Sequence, residues 1–237
     1  RMITNDAGRT AALLAGDIDF IDQVPTSDIE RLRRDQRIAL SEIDSMRFIY
    51  FALDHMRDGP TPFITDNDGK PFDRNPLKDV RVRRALSLAI DRPAIVARVM
   101  EGAASATRQV MPEGGFAYVP ELAATRADPD QAKKLLAEAG YPNGFRLTLH
   151  GPNVRYPNDA RITQAVGQMW TRIGIRTQVD VAPYASFIAK ASRQEFSVFL
   201  VSWGSSTGEP MAGLRSIAAT YDRARGTGSV NRGRYSN

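Results

Sequence analysis

From Phe145 to Trp203 the chain changes hydrophobic period four times, and that rhythm limits its fold more than anything else in it. Phe145, Leu147 and Leu149 alternate as in a half-buried strand, whereas Ile162, Val166, Met169 and Ile173 recur at helical spacing. Gly174 then stops the helix, and Ile175, Thr177, Val179 and Val181 alternate again. A short helix is predicted after Pro183, and Phe196 to Trp203 reads as a continuous apolar strand. Strands separated by single helices with short links are joined by parallel-type crossovers, and such crossovers lay helices over a sheet. The segment is therefore predicted to be a layered α/β domain.

Upstream, the reading rests on punctuation. Asp91 is expected to cap one helix before Pro93, and Asp128-Pro129 to open another as N-cap and first residue, with Gly140 ending it. Ala132, Leu135, Leu136 and Ala139 form that helix's apolar stripe, and helices are expected over Val80–Ile90 and Arg92–Glu101, with Gly102 as the stop. Nearer the start, Thr10 to Ala15 reads as a helix ended by Gly16, followed by a short strand over Ile18–Ile21 that Pro25 interrupts. Ser27-Asp28-Ile29-Glu30 fits a capping box, with Ile29 and Leu32 on one face of the next helix, and Arg47 to Leu53 reads as a strand. The loop from Asp58 to Asp79 contains Asp66-Asn67-Asp68-Gly69. Aligning Gly69 with the sixth position of a calcium loop puts Ile64 where a carboxylate is required, so an Asx-rich turn is expected instead. Residues 103–127 show little periodicity, and no element is evident beyond Gly204.

Composition excludes several functions. Cysteine is absent, which removes disulfides, thiolate metal sites and a cysteine nucleophile. No apolar run approaches the roughly 18 residues of a membrane span, and the opening Arg1-Met2-Ile3-Thr4 shows no export signal. The net charge of +5 invites a nucleic-acid reading. The basic clusters Arg31–Arg34 and Arg81–Arg84, however, lie inside helical patterns and are expected to be solvated faces, so no nucleic-acid partner is expected.

Catalytic signals are equally sparse. His55 and His150 are the only histidines, neither with metal-ligand spacing, and no nucleophile elbow occurs. Gly226-Thr227-Gly228 lacks a third glycine and a following helix, and Gly8-Arg9-Thr10 lacks the P-loop lysine. No cofactor and no metal are expected. What remains is ligand recognition in the loop Gly151–Asp159, which leaves the end of one predicted strand for the start of a helix, a preferred ligand position in α/β folds. Arg155 can grip a carboxylate with two prongs, Tyr156 offers a flat face with a hydroxyl, and Asn158 or Asp159 can cap the helix. Trp203, at the end of its strand before Gly204-Ser205-Ser206, can stack on a ligand or plug the core.

Five pieces in order then carry a resemblance: Ala15–Asp19, Val82–Arg92, Asp128–Tyr141, Ile173–Ile175 and Ser202-Trp203. The set resembles the extracytoplasmic solute-binding proteins (family 5) of peptide and nickel ABC importers, with Ser202 where that family usually has glycine. The resemblance implies an α/β, periplasmic-binding-protein-like lobe with a mixed sheet flanked by helices, plus part of a first lobe. Residues 1–45 would be the C-terminal part of lobe one, 46–203 the second lobe, and 204–237 a truncated return crossing. It implies capture of a peptide or other small solute between two lobes, outside the cytoplasm, by a monomer without catalytic activity that serves a membrane permease. Trp203 would line the cleft. Ser206 would replace the aspartate that holds a peptide's amino group in peptide-binding relatives, Leu200 would stand where arginine can occur, and Asp54 would replace a common asparagine. The ligand set is thus Trp203, Ser206, Arg155, Tyr156 and Asn158. The alternative is a hydrolase-type domain using His150.

Overall fold

The computed structural model describes residues 3, 5–122 and 126–236; positions 123–125 of the aperiodic stretch and both chain ends lie outside the described residues. Among the described residues five strands form one mixed sheet: β1 Arg47–Leu53, β2 Ile64–Thr65, β3 Arg146–Asn153, β4 Arg176–Pro183 and β5 Val198–Gly204. Eight α-helical segments accompany them: α1 Asp6–Ala15, α2 Ile29–Arg34, α3 Val80–Leu88, α4 Arg92–Arg98, α5 Pro129–Glu138, α6 Asp159–Arg172, α7 Tyr184–Ser192 and α8 Met211–Gly213.

β3 is the axis. It runs parallel to β4 along its whole length, from Arg146↔Arg176 to Asn153↔Pro183. Its other edge is shared: β2 pairs antiparallel with Leu147 and Arg146, and β5 pairs parallel at Leu149 and His150. β1 closes the order by running antiparallel to β5, with Arg47 opposite Gly204 and Leu53 opposite Val198. The carboxyl ends of β3, β4 and β5 therefore share one edge with the start of β1.

Alternation along the strands decides what each face buries. Leu147, Leu149, Val198 and Leu200 turn toward α6, α3 and α5, where Val82, Leu86, Leu136, Val166 and Trp170 complete the larger core. The Trp170 ring meets Phe51 edge-on, and its indole N–H donates to Leu86 O at 2.9 Å, so a large apolar side chain is buried without stranding its polar atom. The opposite face carries Ala52, Phe199 and Val201 against Phe187 and Ala191 of α7. The predicted punctuation operates as read: Asp91 accepts from Ala94 N, Asp128 accepts from Gln131 N, and Gly140 and Gly174 adopt positive φ. Gly144 combines φ +63° with an approach so close that a Cβ would lie 1.9 Å from Gly174 O, so only glycine fits where the chain enters β3. Asp66 Oδ1 accepts from Asp68 N and Lys70 N, the Asx turn expected there.

Three expectations are corrected. Ile18–Ile21 forms no strand: no segment among the described residues pairs with it, and an extended segment without a ladder partner has nothing to hold it. Ser27 caps nothing. Thr26–Asp28 form a 3₁₀ turn leading directly into α2, and the Asp28 carboxylate accepts instead from Thr10 Oγ1 at 2.7 Å, tying α1 to α2. Past Gly204 the chain forms α8 and a π-helical turn over Leu214–Ala218. The segment then returns along β1. His55 N donates to Gly233 O at 2.7 Å, and a Cβ on Gly233 would lie 2.2 Å from Leu53 O.

Candidate functional site

The β3–α6 loop is held from below by one carboxylate. Asp159, buried at the start of α6, accepts from the backbone N–H groups of Val154, Arg155, Tyr156 and Ala160 at 2.8–3.2 Å. Val154 and Asn158 both take left-handed backbone conformations, at φ 60° and 54°. A β-branched residue adopts φ > 0 only where its surroundings impose it. Here the four-fold grip of Asp159 does so, and the loop presents Arg155 and Tyr156 in a fixed pose.

Around them gather aromatic hydroxyls. The Arg155 guanidinium lies 4.9 Å from the Tyr184 ring centroid and 5.7 Å from that of Tyr156. The two tyrosine rings meet edge-on at 6.2 Å. Burial raises the Tyr156 hydroxyl's pKa and neighbouring Tyr184 adds to the rise, while the Ser202 backbone N–H and Arg155 oppose it. Tyr50 is pushed up to about 12, chiefly by burial, with Arg232 opposing and Tyr156 reinforcing. At neutral pH these hydroxyls stay protonated and can donate hydrogen bonds.

Trp203 is partly buried and follows Ser202, so it projects on the α7 side of the sheet, paired across β1 with Phe48. Its indole N–H is covered and has no partner among the described residues. The backbone of α8 lies against it: a Cβ on Gly213 would come within 3.1 Å of Nε1. Ser206 is exposed in the turn after β5, a turn anchored by Ser205 N donating to Met46 O at 3.1 Å. Tyr156 thus meets β5 at Ser202, Arg155 lies beside Tyr184, and Trp203 and Ser206 stand at or just past the end of β5. The four share the carboxyl edge of the sheet rather than one face of it.

Asn158 is employed elsewhere. Its side-chain N–H groups donate to Thr26 Oγ1 at 2.8 Å and Val99 O at 3.0 Å, joining the α1–α2 segment to α4. It makes no side-chain cap on α6, which corrects the capping expectation for Asn158; Asp159 supplies the polar anchor instead. Asp54 is buried, accepts from Met56 N and Arg57 N, and pairs with Arg57, shaping the turn after β1. Tyr50 and Tyr184 escaped the sequence reading, although Pro183-Tyr184 at the end of an alternating strand occupies the same kind of position as Trp203.

His150 does not fit a base. Its ring is buried and stacked on Phe196 at 4.0 Å with Phe63 edge-on at 4.6 Å, and its Nε2 stands 3.8 Å from Asp180, beyond hydrogen-bond reach. Burial lowers its pKa, with Asp180 opposing, so it is a neutral wedge between aromatic rings. The hydrolase alternative loses the group it required. Among the described residues there is also no cluster of ligating side chains that could hold a metal, and no helix long and apolar enough to cross a membrane.

The model of the family described as bacterial extracellular solute-binding proteins, family 5 Middle, matches residues 1–224. The chain is 28% identical to heme-binding protein A of Haemophilus influenzae over 232 residues, 97% of this chain and 39% of that protein. It is 26% identical to the dipeptide-binding protein of Escherichia coli over 225 residues, 92% of this chain and 39% of that one. Among solved structures, the ABC transporter-associated periplasmic binding protein DppA from Helicobacter pylori, in complex with peptide STSA, shares the fold with a TM-score of 0.77 at 20% identity, over all of this chain and 42% of that one. The chain thus spans about two fifths of the length of the relatives it matches.

Proposed function

Because the chain belongs to the family 5 bacterial extracellular solute-binding proteins, matched over residues 1–224, we propose that it captures a peptide or other small solute and delivers it to the membrane permease of an ABC importer. In this reading residues 1–45 complete a first lobe, 46–203 are the second lobe, and 204–237 lead back toward the first. The protein works outside the cytoplasm as a monomer, and the solute lies against the carboxyl edge of the sheet. The family's relatives here are solute-binding proteins, not enzymes.

The observation that carries the site assignment is the locked pose of Arg155 and Tyr156 on the Asp159 carboxylate, beside Tyr184 and the β5 terminus. A backbone fixed at Arg155 aims its guanidinium, beside the Tyr184 ring, at a carboxylate and reduces the ordering that binding requires. The Tyr184 and Trp203 rings offer apolar area at low entropic cost, and Ser206 supplies a neutral polar group at the rim. Asn158 contributes through the scaffold.

Native mass spectrometry of the full-length exported protein is expected to reveal a co-purified small molecule, which then serves as titrant. Trp203→Ala and Arg155→Gln are each expected to weaken its binding about tenfold or more, the scale of one lost anchor. Unchanged affinity in both variants overturns the site.

A further inference from the structure

At the amino end of the same sheet, far along β3 and β4 from the Arg155 edge, two arginines stand directly opposite one another. Arg146 pairs with Arg176 in the parallel ladder, and Thr148 faces Gln178 two residues on. These four alternate with the buried Leu147 and Leu149, so they project from the face opposite α6. Both guanidinium groups are exposed, and neither they nor the Thr148 and Gln178 side chains have a partner among the described residues. Arg57, Arg81, Arg161 and Arg193, by contrast, each pair with a carboxylate. Asp180, the next residue of β4 on this face, is turned to His150. Like charges facing one another across adjacent strands repel, weakly at an exposed site, so an anion between them is favoured.

The surroundings are concave. Arg146, Thr148, Arg176 and Gln178 line a depression of about 520 Å³ with Thr65 and Phe63, a residue 51% exposed. We infer that this depression is a second ligand site, separate from the solute edge, that takes a phosphate monoester whose apolar body rests on Phe63. Two planar forks rooted on adjacent strands approach a tetrahedral dianion from both sides, each offering paired N–H donors. The Thr148 hydroxyl and Gln178 amide add neutral donors, and the volume exceeds what an inorganic ion fills.

The same headgroup chemistry belongs to soluble phosphate esters and to phosphatidic acid, and the test separates them. The intact protein is titrated calorimetrically with phenyl phosphate and with inorganic phosphate, and sedimented with phosphatidylcholine vesicles with and without phosphatidic acid. Phenyl phosphate is expected to bind more tightly than inorganic phosphate, and Phe63→Ala to erase that preference. Arg146→Gln and Arg176→Gln are each expected to weaken binding about tenfold. Without ligand, Arg176→Gln is expected to melt slightly higher than the parent, a gain that a merely structural arginine does not give. Arg176→Lys, which keeps the charge but not the fork, serves if a glutamine variant misfolds and is expected to bind several-fold more weakly. Vesicle binding that requires phosphatidic acid and both arginines identifies a lipid; phenyl phosphate binding without vesicle binding identifies a soluble ester. No saturable binding of either at millimolar concentration, or binding indifferent to both arginines, overturns the inference.

Discussion

The layered domain and the segments flanking it are built from similar residues and behave differently. Every residue of the two cores, and every partly buried one packed on them, lies between Ile49 and Val201. Before position 46, Leu32 is the buried hydrophobic residue, while Phe20 and Ile43 are 77% and 92% exposed. After Gly204, Met211 and Tyr221 remain open to solvent, and the segment is held mainly by backbone bonds such as His55 N to Gly233 O. Apolar content is therefore not what separates them. The domain's apolar residues recur with the period of the element that carries them, so each face finds a partner nearby. In the flanks the apolar residues bury little within this chain.

The difference can be broken first at Trp170. Trp170→Ala removes the largest fully buried side chain of the domain and strands Leu86 O, and is expected to cost about 3–5 kcal/mol. Urea unfolding followed by circular dichroism measures it; a loss below about 1 kcal/mol, typical of an average substitution, removes the claim that this core dominates.

An intermediate effect is expected where domain and flank meet. His55 stacks edge-on against Tyr235, and burial, aided by Arg83, depresses its pKa from 6.5 to about 4. The unfolded chain therefore binds a proton between these values that the folded chain refuses, so stability is full above pH 6.5 and declines toward pH 4. The decline is expected to show as lower hydrogen-exchange protection factors at 230–235, corrected for the intrinsic rate at each pH, and His55→Leu is expected to abolish that local acid response. His150, also depressed by burial, leaves a separate response within the domain. Protection factors at 230–235 that do not change with pH over this window remove the coupling.

The smallest change is expected in the flank itself. Phe20→Ser alters a side chain already in solvent, and its effect on the melting transition is expected within about 0.5 kcal/mol. A larger loss shows that this surface is covered in the intact protein.

The same division explains what could be read in advance. Asp91, Asp128, Gly140 and Gly174 act through neighbours a few residues away, so their roles were legible. The alternation of β3 and β4 was legible because Leu147 and Leu149 on one face of β3 are buried, and Thr177, Val179 and Val181 on one face of β4 are half-buried beside exposed neighbours. β2 was not: two residues become a strand only because Arg146 and Leu147 pair with them. Ile18–Ile21 failed for the converse reason, having a strand's composition and no ladder. At the site, the loop bearing Arg155 and Tyr156 could be located from the strand-to-helix transition. Tyr50 could not, since it is β1's return alongside β5, some 150 positions later, that brings it near Tyr156. The duties of Asn158 were equally hidden, because its partners Thr26 and Val99 are remote in sequence.

The antiparallel pairing of β1 with β5 has a mechanical side. The chain enters the domain at Arg47 and leaves at Gly204, directly opposite, with Ser205 N bonded to Met46 O just outside. The covalent connections to the flanks thus leave side by side, while hydrogen bonds from Asn158 to Thr26 and from His55 to Gly233 tie the flanks to the domain elsewhere. In the two-lobe reading proposed above, these adjacent threads are where a hinge between the lobes is expected to lie.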